Sequence, residues 1–106
     1  MPEIYSAKDP RETVVCSMDF TRVLTEAGLT TQDITDCQLE IRRCDGKPED
    51  TTAMVVGAAD MSALPVIKHK VTGGVHGVNY LVLFIMTAKG DTLIGSATML
   101  VKWGGA

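Results

Sequence analysis

A chain of 106 residues has room for one hydrophobic core and little more, so a single domain is the starting point. The formal net charge is only -3 and no cluster of Lys or Arg forms a basic stripe, which removes the electrostatic footprint of a nucleic-acid-binding protein. No apolar run approaches the roughly 20 residues that span a bilayer, and Met1-Pro2-Glu3-Ile4-Tyr5 lacks the regions of a signal peptide. The expectation is a protein made in the cytoplasm and held by neither nucleic acid nor membrane.

Residues 1–12 are rich in charge and contain Pro2 and Pro10, which suits an extended N-terminal arm better than a packed element. From Thr13 the pattern changes. Val14, Cys16, Met18 and Phe20 alternate with Thr13, Ser17 and Asp19 at the period of two that marks a half-buried strand, broken only by Val15. Residues 21–29 predict a helical turn or corner with Val23 and Leu24 inward and Gly28 as its stop. The clearest strand runs from Ile34 to Cys44, where Cys37, Leu39 and Ile41 alternate with Asp36, Gln38, Glu40 and Arg42. A polar turn over residues 45–50 follows, then a short strand over residues 53–56 that ends at Gly57. Residues 58–65 read as a weakly apolar connection with room for a helical turn, and Pro65 opens a strand from Val66 to Val71.

The last third of the chain is the most informative. Gly73, Gly74 and Gly77 fall within five positions, and such spacing marks a tight corner with backbone at positive φ. The corner delivers Tyr80 and the unbroken apolar segment Leu81 to Met86, too short and too β-prone for a helix. Ala88-Lys89-Gly90-Asp91 then supplies a turn, and residues 92–103 fold back as the second arm of a hairpin. Six or so strands at this spacing require two sheets packed face to face or a barrel, and the sandwich is the preferred solution.

Tyr80 sharpens that expectation. Immunoglobulin-like domains place a Tyr at the start of the penultimate strand with its hydroxyl bonded back to the preceding corner, and Tyr80 followed by Val82, Phe84 and Met86 on one face matches that arrangement without a disulfide. The other reading makes Tyr80 a strand aromatic with a surface hydroxyl. The predicted fold is therefore an all-β, immunoglobulin-like antiparallel β-sandwich of about six to eight strands over residues 13–106, preceded by the arm of residues 1–12.

Little in the chain points to chemistry. His69 and His76 have no Cys, Ser or carboxylate at a spacing that names a triad or a metal site. The acidic turn of residues 45–50 lacks the alternating oxygen ligands of a calcium loop, and Gly73-Gly74 lacks the Lys-Ser/Thr ending and the helix of a phosphate cradle. Cys16, Cys37 and Cys44 are odd in number without CxxC spacing, so reduced and mostly buried thiols are expected. No catalytic residue, cofactor or metal is assigned. If Tyr80, Val82, Phe84 and Met86 face the core, then Leu81, Leu83 and Ile85 face outward as an apolar stripe, covered either by a neighbouring subunit or by a loop of the same chain. Leu81, Leu83 and Ile85, with Ile4 and Tyr5 of the arm, are the candidate interface residues. Gly73, Gly74, Gly77 and Tyr80 are the structural corner.

These features occur in an order that resembles a known family. Lys8-Asp9-Pro10 precedes the first strand, Asp19-Phe20 with Leu24 follows it, the corner from Gly73 to Tyr80 comes next, and Thr87-Ala88-Lys89-Gly90-Asp91 turns the final hairpin. Together they are similar to the fiber-tail adaptor proteins of tailed bacteriophages, where Asp-Trp commonly stands in place of Asp19-Phe20. The resemblance implies a small immunoglobulin-like tail protein of the virion, without enzymatic activity, that joins tail or baseplate to fiber components. Its partners would be other phage structural proteins, in multiple copies within a symmetric assembly built in the host cytoplasm. The alternatives are a head decoration or head-tail connector protein, or an immunoglobulin-like carbohydrate-binding adhesion module.

Overall fold

Strands dominate the computed structural model, which describes residues 3–105, with side chains from Tyr5 onward. In chain order the elements are β1 (Glu3–Ile4), β2 (Thr13–Asp19), α1 (Thr21–Ala27), β3 (Ile34–Arg43), β4 (Val55–Ala63), β5 (Val66–Thr72), β6 (Val78–Ala88) and β7 (Asp91–Val101). They form a four-stranded sheet of order β1-β7-β6-β3 and a three-stranded sheet of order β2-β5-β4. Among the described residues every pairing is antiparallel except the two-residue contact of β1 with β7 and an isolated parallel bridge between Lys8 and Val101.

Period-two patterning accounts for this architecture. One face of each strand is apolar, and two sheets remove those faces from water only by packing them together. Cys37, Ile41, Tyr80, Val82, Phe84, Met86, Ala97, Met99 and Val101 of one sheet join Cys16, Met18, Ile67 and Val71 of the other in a single buried cluster. Phe20, Leu24 and Met54 complete it from the connections. Gly95 keeps the layers close, because a Cβ there would lie 2.8 Å from Met18 Cγ.

Local signals set the ends of the elements. The Asp19 carboxylate accepts the Thr21 amide at 2.9 Å ahead of α1, and Gly28, at φ +72°, ends the helix in the left-handed region. Lys89 and Gly90 have φ of 51° and 82°, the two-residue turn whose twist matches a hairpin, and β6 and β7 pair without interruption from Val78↔Val101 to Ala88↔Asp91.

Three expectations are corrected. The region read as a weak connection belongs to β4, which runs on from Val55 through Gly57 to Ala63, while residues 52–54 form a 3-10 turn. Its ladder with β5 is irregular at two places, and a bulged strand loses the strict alternation by which strands are recognised. The final strand starts at Asp91 and stops at Val101, so Trp103 lies beyond it.

The N-terminal segment, read as an extended arm rather than a packed element, lies along its own domain. The Tyr5 amide donates to Thr98 C=O and the Lys8 amide to Leu100 C=O, each at 2.9 Å. Lys8 has no accessible surface, and its ammonium donates to Asp9 C=O at 2.7 Å and Gly73 C=O at 2.6 Å. A buried ammonium is tolerable only when it is hydrogen-bonded, and here two backbone carbonyls take two of its three hydrogens.

Candidate functional site

The outer face of the four-stranded sheet carries the candidate site. Side chains on β6 alternate, so burying Val82, Phe84 and Met86 turns Leu81, Leu83 and Ile85 to the opposite face, where each is only half-buried. None of the three belongs to the core cluster or to the partly buried residues packed against it. Register supplies their neighbours. On one side β7 places Thr98 beside Leu81, Ser96 beside Leu83 and Ile94 beside Ile85, and Ile94 is 55% exposed. On the other side β3 places Arg42, Glu40 and Gln38 beside the same three residues. The Arg42 guanidinium donates to Glu40 Oε1 at 2.8 Å, so the apolar row has an ion-paired border on β3 and a small hydroxyl border on β7. An apolar centre with a polar rim is the layout of a protein contact surface.

Behind this face, the glycine corner holds the start of β6 in place. The Tyr80 ring is fully buried and its hydroxyl is saturated: it accepts the Val75 amide at 2.9 Å and donates to Glu49 Oε1 at 2.8 Å. Burial first, and then the Glu49 hydrogen bond, raise the Tyr80 pKa and keep the phenol protonated. Arg43 reaches the same Glu49 carboxylate at 3.1 Å and grips Asp45 at 2.8 Å. Hydrogen bonds from Arg43 and from the Lys47 amide bring the Asp45 pKa down to about 2. Gly73, Gly74 and Gly77 all have positive φ, and Lys8 ties Gly73 to the N-terminal segment.

The structure brings Leu81, Leu83 and Ile85 together and separates them from Tyr5. That residue packs against the core and donates its hydroxyl to Ser17 C=O on β2 at 2.6 Å, bridging the rims of the two sheets. The Ile4 side chain lies outside the described residues. Sequence patterning missed Glu49 and Lys8, because charged residues in a turn or arm carry no signal of burial until a distant partner is known. Ile94 was legible only through register, since it becomes a neighbour of Ile85 once β6 and β7 are paired.

The remaining polar side chains are dispersed. His69 is buried with Nδ1 3.0 Å from Lys70 C=O, while His76 Nδ1 accepts the Trp103 amide at 2.9 Å and its ring stacks on the indole. Arg11 covers the same indole at 5.2 Å from its centroid and is held by both Asp9 oxygens. Those bonds, and others from the Arg11 and Gly104 amides, hold the Asp9 carboxyl well below the usual carboxylate range. Among the described residues, no three His, Cys, Asp or Glu side chains converge as a metal site would require. No family model, curated protein or solved structure matches this chain.

Proposed function

We propose that this protein is a non-enzymatic structural subunit that works by lateral contact within an assembly, an immunoglobulin-like adaptor joining tail or baseplate to fiber components in a tailed bacteriophage. The observation that carries this reading is the row Leu81, Leu83 and Ile85, extended by Ile94 and set between a charged and a hydroxyl border. Side chains of this size on a sheet face gain from being covered, at about 25 cal/mol per Å² of apolar surface removed from water. The adaptor role rests on the order of sequence motifs from Lys8-Asp9-Pro10 to the final hairpin. The bond from the Val75 amide to the Tyr80 hydroxyl supports the immunoglobulin-like reading, because it is the link a tyrosine corner makes. Carbohydrate binding has less support. Trp103 is the exposed large aromatic among the described residues, and Arg11 and His76 already engage its ring.

The test is incorporation into particles. Cells producing phage with the unaltered protein should yield tails in which it co-sediments at a fixed ratio, and Leu83→Asp should leave the protein folded but absent from the particles. A charged residue in a desolvated contact costs several kcal/mol, enough to empty the site. An unaltered protein that never enters particles overturns the adaptor reading, and a Leu83→Asp variant that enters normally overturns the role of this face.

A further inference from the structure

One side of the sandwich is left open between β3 and β4, and the backbone there is not fully used. β3 is the last strand of its sheet and pairs only with β6. In an antiparallel ladder alternate residues turn N–H and C=O toward the neighbour, and the others turn them away. The Cys44 amide donates to Asn79 C=O, which makes the even-numbered residues the ones bonded to β6 and leaves Cys37, Leu39, Ile41 and Arg43 facing outward. The chain caps two of these itself: Thr51 Oγ1 donates to Ile41 C=O, and the Gly46 amide donates to Arg43 C=O at 3.4 Å. For Cys37 and Leu39 no backbone partner on this outer side is found among the described residues.

Across the opening, β4 departs from its own ladder. Val56 pairs with Lys70 and Asp60 with Lys68, so four steps along β4 answer two along β5, and residues 57–59 bulge out. A crevice of about 400 Å³ separates the rims, lined among others by Asp36, Cys37, Leu39, Val55, Ala58 and the buried His69.

A row of unpaired N–H and C=O groups at strand spacing matches one chemistry, that of an extended polypeptide. We propose that this crevice takes an extended segment of a partner protein, which adds to β3 as an outer strand through Cys37 and Leu39. The sequence of that segment is constrained on both faces. Residues turned to the crevice floor meet Leu39 and Val55 and are apolar, while those on the solvent face meet Asp36. No ion pair is formed by Asp36 among the described residues, so a Lys or Arg opposite it gains a partner. This contact uses the free edge of β3 rather than the apolar row Leu81, Leu83 and Ile85, and does not depend on that row.

The test uses the whole chain and a synthetic probe, acetyl-Thr-Val-Lys-Val-Lys-Val-amide, with its fully N-methylated counterpart as control. Amide hydrogen exchange in the free protein should be fast at Cys37 and Leu39 and slow at Gln38 and Glu40, which bond to β6. Millimolar probe should slow Cys37 and Leu39 by about tenfold or more, and the methylated peptide, having lost its donors, should not. Ala58→Tyr, checked for folding by circular dichroism, should abolish the protection by filling the crevice, whereas Leu83→Asp should leave it intact. Slow exchange at Cys37 and Leu39 before any probe is added would show the edge already covered. That result, no protection at several millimolar probe, or equal protection by the methylated peptide would each overturn the proposal.

Discussion

At the scale of single residues, the charged groups of residues 8–12 show how a local network supports a fold. The Asp9 carboxylate accepts bonds from the Arg11 side chain and amide and from the Gly104 amide, which fastens the chain's last turn to its first. Its folded pKa lies well below the ordinary 3.8, and Asp45 is brought down to about 2, so the unfolded chain binds more protons than the folded one at acid pH. The stability these carboxylates contribute is complete above about pH 5 and is lost progressively as pH falls through 3.8 and then through the folded values, about 2 for Asp45 and lower for Asp9. The thermal midpoint should therefore drop across that window, and Asp9→Asn should lower the midpoint at neutral pH and flatten the drop. A second contrast concerns glycine. Gly77 sits at φ +83° with nothing within 4 Å of the point where a Cβ would stand, so the cost of Gly77→Val starts from backbone strain, about 1–3 kcal/mol in chemical denaturation. Gly74, at φ +103°, would also bring a Cβ to 2.8 Å from Val101 Cγ2, and Gly74→Ala should cost more than Gly77→Ala.

Elements differ in how openly the sequence declares them. Where one face meets the core and the other meets solvent, as in β3 and, but for the exposed Val15, in β2, apolar and polar residues alternate and the strand is read directly. On β6 both faces are apolar, yet the glycine corner before it and the Lys89-Gly90 turn after it set its limits. That turn still holds a cost, because Lys89 adopts φ 51°, a region that favours Asn or Gly. Lys89→Asn should raise stability by a few tenths of a kcal/mol to about 1 kcal/mol, seen as a higher denaturant midpoint with an unchanged slope. β4 was hidden by its irregular ladder and by the positive φ of Gly57, features that arise from bending at a sheet rim rather than from composition. β1 was hidden for a different reason. Two residues of parallel pairing leave no periodicity to detect, and the segment is held by Lys8 reaching a carbonyl 65 residues away.

The whole molecule combines a closed core with surfaces of unlike kind. Cys16 and Cys37 are buried and burial pushes each thiol up to about 11, so both stay protonated at neutral pH, while Cys44 is exposed. The exterior carries an apolar face on one sheet and an open edge between β3 and β4. Because Leu83 lies off the core cluster, Leu83→Asp should change the melting temperature of the free protein by only a few degrees while abolishing assembly. The sequence by itself determined the strands with strict alternation, the inward set on β6, the outward row Leu81, Leu83 and Ile85, and the turns with positive φ. These follow from side-chain periodicity and backbone sterics, which act over a few residues. Only the tertiary structure decided that the N-terminal segment docks on β7, that Glu49 and Lys8 secure the Tyr80 corner, that Ile94 and Arg42 flank the apolar row, and that β3 and β4 leave a gap. Each of these depends on which distant strands become neighbours and in what register, and pairing across tens of residues is set by the packing of the entire core.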